Sequence, residues 1–140
     1  MDEAQTKSID LSGFKNYYIP NVMQTAKADE ILLITSQRTQ NASDVLKVNT
    51  KTGSVKKMFT ETNEKWVDTD GVTLEFLEDN SFFFLSDRDG FNHLYWYDET
   101  GKVKKQVTKG NWEVTNYYGY NPKTKEIFLH HSSTILLHYL

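Results

Sequence analysis

Ser86-Asp87-Arg88-Asp89-Gly90, then His93-Leu94-Tyr95-Trp96-Tyr97-Asp98, then Gly101 and Gln106-Val107-Thr108 read as strand, turn, strand, turn, strand. A charged turn marks the first corner and a glycine the second. Asp-Gly suits a tight β-turn because glycine accepts positive φ and aspartate caps the turn. This is the layout of most of one β-propeller blade. Immediately upstream, Ser81-Phe82-Phe83-Phe84-Leu85 is apolar on both faces, as a strand covered on two sides requires.

The pattern repeats. Glu30 to Thr35 is a short run rich in β-branched residues, Asp44 to Asn49 alternates, and Thr50-Lys51-Thr52-Gly53 supplies a turn before Ser54 to Phe59. Ser36 and Ser86 stand 50 residues apart, and Gly53 and Gly101 stand 48 apart. Such a period, with three or four strands per unit, indicates blades and not a helical solenoid. A third copy begins at Trp112-Glu113-Val114, continues through Glu126 to His130, and closes with Thr134 to Leu140, one strand short of a blade. No segment shows helical recurrence of apolar residues.

The predicted fold is therefore all-β. It consists of antiparallel propeller blades, two complete and a partial third, forming an open fragment and not a closed propeller. Residues 1–16 read as a flexible or edge segment, and the blade units as 17–66, 67–111 and 112–140. An open stack leaves strand edges unpaired, which invites association. Two readings follow, a self-assembling module or a piece of a longer protein, and the low blade count favours the piece.

The 140 residues carry a net charge of −3 and no cysteine, which gives no electrostatic footprint for nucleic acid and excludes disulfides and thiolate chemistry. Lys56-Lys57 and Lys102, Lys104 and Lys105 read as a solvated face. No apolar run reaches the roughly 18 residues of a membrane helix, and the polar start Met1-Asp2-Glu3-Ala4-Gln5 predicts no signal peptide.

Candidate chemistry is sparse. His130 and His131 are adjacent, so a strand points them to opposite faces, and with His138 and His93 they do not make a metal site. Ser132 or Ser133 could be placed in a triad only by choosing partners freely, for no Gly-x-Ser-x-Gly elbow exists. Asp68-Thr69-Asp70-Gly71 and Asp87-Arg88-Asp89-Gly90 lack the ligand spacing of a calcium loop and read as turns. Arg88 is expected to tie neighbouring turns together through a carboxylate. Trp66, Trp96 and Trp112 are expected in blade packing, while Tyr117-Tyr118-Gly119-Tyr120 is too aromatic for a strand with one buried face and marks a candidate interface. The chain is read as carrying no catalytic, cofactor-binding or metal-ligating residue.

Ser86 to Thr108 resembles the repeat of TolB-like propellers and of the N-terminal propeller of the prolyl oligopeptidase superfamily. With Thr108-Lys109-Gly110-Asn111-Trp112-Glu113-Val114, Arg38-Thr39-Gln40-Asn41 and Tyr17-Tyr18-Ile19-Pro20, it is similar to the dipeptidyl peptidase IV branch. That resemblance covers roughly Tyr17 to Ser132. It implies a parent serine exopeptidase, exported or periplasmic, that releases N-terminal dipeptides through an α/β-hydrolase domain. The propeller in such enzymes caps the hydrolase, gates access and holds the substrate amine with acidic residues, none of which can be matched here. The implied partners are the hydrolase domain and the remaining blades, and the chain alone is expected to lack hydrolase activity.

Overall fold

The computed structural model describes residues 6–14, 17–69, 72–132 and 134–140. Asp70, Gly71 and Ser133, parts of two readings above, lie outside the described residues, as do residues 1–5, 15 and 16. Three antiparallel sheets follow one another along the chain. The first contains β1 (Tyr17–Gln24), β2 (Glu30–Gln37), β3 (Ala42–Asn49) and β4 (Val55–Thr62) in sequence order. The second contains β5 (Leu74–Phe76), β6 (Phe82–Ser86), β7 (His93–Tyr97) and β8 (Val103–Gln106). The third contains β9 (Asn116–Asn121), β10 (Glu126–His131) and β11 (Thr134–Tyr139). These are two four-stranded propeller blades and a three-stranded partial blade, and they do not close into a ring.

Strand periodicity explains how the blades stack. In β6, Phe82 and Phe84 join Tyr95 and Tyr97 in one cluster, while Phe83 joins Leu94, Val107, Val114, Ile127 and Leu129 in another. Successive side chains point to opposite faces, so the triple phenylalanine serves both neighbouring blades at once. Met58, Phe59, Val72, Leu74 and Phe76 pack against both the Phe82 cluster and that of Leu32, Ile34 and Val45, joining blades 1 and 2. Each fully buried side chain of this size stabilises the stack by about 1.5–3 kcal/mol. On the other face of blade 1, Ile9, Leu11 and Phe14 of the N-terminal segment pack on Leu33, Leu46 and Val48. A single 3₁₀ turn at Ser12–Phe14 shapes that segment.

The two ends of the blades differ. At one end the hairpins are tight turns started by an Asx side chain. Asn49 Oδ1 accepts from the N–H groups of Lys51 and Thr52, Asp98 Oδ1 from those of Thr100 and Lys102, and Asn121 Oδ1 from that of Lys123. At the other end lie the β2–β3, β4–β5, β6–β7 and β8–β9 connections, which are longer or bonded across to neighbouring loops. Asn63 N–H donates to Asn41 O at 3.1 Å, Val67 N–H to Gln40 O at 2.7 Å, and Val114 N–H to Asn92 O at 2.7 Å.

In the third blade β10 pairs regularly with β11, from Glu126 opposite Tyr139 to His131 opposite Thr134, whereas its pairing with β9 shifts register between Phe128 and Leu129. Its Tyr117 and Tyr120 pack against the blade 2 cluster, whereas Tyr118 is exposed. Among the described residues no helix is long and apolar enough to cross a membrane.

Candidate functional site

The loop end carries a buried cluster of polar and charged side chains from blades 1 and 2. Its centre is Glu61, one residue before the end of β4. Phe59 and Glu61 are two apart, so the strand points both toward blade 2. The Glu61 side chain is only 7% exposed. Its carboxylate accepts from Ser86 Oγ at 2.7 Å, from the Arg88 guanidinium, and from Tyr97 OH at 3.4 Å.

Arg88 stands on the β6–β7 turn, which Gly90 N–H closes onto Asp87 O at 2.9 Å. Its Nε donates to Ser86 Oγ at 2.9 Å, its Nη2 also reaches Tyr97 OH, and its guanidinium lies 4.3 Å from the centre of the Tyr95 ring. The expected arginine–carboxylate tie therefore exists, but it joins a turn of one blade to a strand of another. Sequence reading did not identify Glu61, Ser86 or Tyr97 as its partners. The only local signal was the Phe59-x-Glu61 alternation, which places a charge on an inward face.

Burial pushes the Glu61 carboxyl above its ordinary range, and Ser86, Arg88 and Tyr97 draw it back without cancelling the rise. Desolvation works against the Arg88 cation, but Glu61 and Tyr97 outweigh it and hold its pKa above the usual value. Burial and the nearby Asp89 carboxylate push Tyr95 up to about 12. Burial and Glu61 raise Tyr97 as well, so both phenols stay protonated at neutral pH and Tyr97 can donate to Glu61.

An open groove of about 750 Å³ lies above this latch, between Gln37, Asn41 and Asn63 on blade 1 and Asp87 and Arg88 on blade 2. Beside it a cleft of about 270 Å³ has Glu61, Asp87, Asn92 and Glu113 in its wall. Asn63 Nδ2 bridges to Asp87 Oδ2 at 2.8 Å, fixing the two blades' loops together.

The remaining sequence candidates are dispersed. His93 is fully buried, with Nε2 donating to Gly110 O and Nδ1 accepting from Thr108 Oγ1, both at 3.0 Å. Its ring meets Trp112 edge-on, and Trp112 packs on His131 in turn. His130 Nδ1 is 3.0 Å from Thr115 Oγ1, and His131 Nδ1 donates to Glu113 O. His138 lies on β11, where burial and Lys105 lower its pKa. No group of three or more His, Asp or Glu side chains among the described residues is placed to hold a metal. Ser132 follows β10 with φ of 52°. Trp96 donates Nε1–H to Ser81 Oγ and carries Lys104 Nζ 3.6 Å above its ring, so that lysine is more than a solvated charge. Trp66 departs from the packing expectation, for it is 59% exposed.

The family model for the dipeptidyl peptidase IV (DPP IV) N-terminal region matches residues 1–134. The chain belongs to that family. Its fold superposes on the dipeptidyl peptidase 4 of Porphyromonas gingivalis with a TM-score of 0.83 and 33% identity, over 92% of this chain and 18% of that one. A Bacteroides ovatus chain assigned as a dipeptidyl aminopeptidase IV gives a TM-score of 0.72 and 27% identity, over 81% of this chain and 19% of its own. The chain thus spans less than a fifth of the length of these DPP IV relatives.

Proposed function

We propose that this chain is a non-catalytic wall of a serine exopeptidase that releases N-terminal dipeptides, with its loop end turned toward the hydrolase domain and the substrate. The family match over residues 1–134 carries this reading. The contrast between the two blade ends supports it, because function gathers on loops held by a rigid scaffold. Residues 1–16 then form the lead-in, and 17–66, 67–111 and 112–140 the three blade units. Catalysis is left to a separate domain, and no residue here is assigned to the triad, a cofactor or a metal. The test is hydrolysis of a Gly-Pro chromogenic dipeptide. The full-length parent is expected to turn it over and the purified chain is not; turnover by the chain alone overturns the reading.

The open third blade favours a second reading. Ile135, Leu137 and Tyr139 on β11 are 66%, 54% and 63% exposed, on a strand that pairs with one neighbour among the described residues. Identical chains could cover these edges and form a module that binds protein or glycan. A discrete dimer or trimer in solution supports that module; a monomer or a polydisperse aggregate supports the severed wall.

A further inference from the structure

The groove between blades 1 and 2 is not consumed by the latch beneath it. Its volume of about 750 Å³ falls within the roughly 300–1,000 Å³ of ligand sites. The charged side chains that line it, Glu64, Lys65, Asp87 and Arg88, balance in sign. A charged ligand therefore has no net attraction to it. What remains is hydrogen-bonding capacity. Gln37 Nε2 donates to Tyr17 OH at 3.0 Å, which leaves Gln37 Oε1 as an acceptor. Asn41 Oδ1 accepts from Thr39 Oγ1 at 2.6 Å, which leaves Asn41 Nδ2 as a donor. Among the described residues neither free atom has a protein partner.

A neutral acceptor and donor, four residues apart across one hairpin, complement the N–H and C=O groups of a peptide main chain. The walls are also fixed in advance. Asn63 holds both arms of its amide on structure, with one Nδ2–H on Asp87 and Oδ1 accepting from the N–H groups of Lys65 and Trp66. A preformed site avoids the ordering cost of binding.

We infer that this groove is an exosite for an extended peptide, gripping the main chain of substrate residues that follow the released dipeptide. The inference rests on the peptidase reading above. Trp66, exposed beside Lys65, supplies the optical probe.

The purified chain is titrated with a Gly-Pro-headed decapeptide and, separately, with the Gly-Pro dipeptide, following tryptophan emission; Trp66→Phe assigns the signal. Saturable binding of the decapeptide and none of the dipeptide is expected. Gln37→Ala and Asn41→Ala should each weaken it about three- to tenfold, the worth of one hydrogen bond, with the circular dichroism spectrum unchanged. No saturable response, equal binding of the dipeptide, or full affinity in both variants overturns the exosite. Dipeptide release by the full-length parent is measured in parallel. A parent that cleaves while the chain binds nothing sinks the exosite alone. A chain that binds beside an inactive parent sinks the peptidase reading and keeps the peptide groove.

Discussion

Arg88 on a turn of the second blade meets the buried carboxylate of Glu61 on the outermost strand of the first. Ser86, Tyr95 and Tyr97 surround the pair, so hydrogen bonds and an aromatic face share its charges. The contact latches two sheets that an apolar layer, the Asn63–Asp87 bridge and the Lys47 bond to the Glu99 carbonyl also join.

Removing the cation should therefore cost more than an ordinary surface pair. Arg88→Ala leaves Glu61 buried without its counter-charge. Complete burial of such a pair would make this about 3–5 kcal/mol, but the Arg88 side chain is 31% exposed. Solvent screening reduces the expected loss to about 2 kcal/mol. Urea denaturation of Arg88→Ala, Glu61→Gln and the double variant measures it. The double variant should lose less than the two single losses added, and strict additivity would show that the two groups do not interact.

The same carboxylate sets a pH signature of unusual sign. Burial raises the folded-state pKa of Glu61 above its unfolded value. Between those two values the folded state binds more protons, so this group's contribution to stability falls as pH rises. Asp98 behaves in the opposite sense, since the Thr100 hydroxyl and the Lys102 N–H lower its pKa and its contribution is lost on acidification. Comparing wild type with Glu61→Gln isolates the Glu61 effect. From about pH 4 to neutrality, the stability difference should move in favour of the glutamine variant. Movement toward the wild type would mean that Arg88 outweighs desolvation.

How much of this was legible depends on the range of each cause. The blades were legible because alternation and turn chemistry are local: Phe82-Phe83-Phe84 needs two covered faces, and Asp87 to Gly90 needs a tight turn. That Arg88 would seek a carboxylate follows from its chemistry. That the carboxylate is Glu61, 27 residues away, follows only from how blade 1 docks on blade 2. Trp66 misled because residue type favours burial, while its place is decided by a loop pinned through Asn63. The groove was invisible for the same reason, as its walls come from loops of two blades.

His93 should be a stability residue of the second blade. Its side chain is fully buried, and its two ring nitrogens satisfy the buried Thr108 hydroxyl and the Gly110 carbonyl. His93→Ala opens a cavity and leaves those partners unpaired, at an expected cost of about 2–4 kcal/mol. A thermal midpoint equal to wild type would show that the loop around Gly110 closes over the gap.

The glycines at two corners of the second blade separate backbone strain from steric exclusion. Gly90 and Gly101 have nearly the same conformation, with φ of +93° and +90°. A side chain at either position adopts a left-handed backbone at a cost of about 1 kcal/mol. Their surroundings differ. A Cβ on Gly90 would meet nothing within 4 Å, whereas one on Gly101 would lie 2.8 Å from Met58 Cβ and 2.9 Å from Met58 O. Met58 belongs to the blade 1–2 contact, so its backbone cannot retreat without moving β4. Gly101→Ala should thus cost about 2–3 kcal/mol, combining strain with overpacking, and Gly90→Ala only the first part. Parallel urea titrations decide it. Equal losses at the two corners would mean that the tight-turn end of blade 2 does not press on Met58.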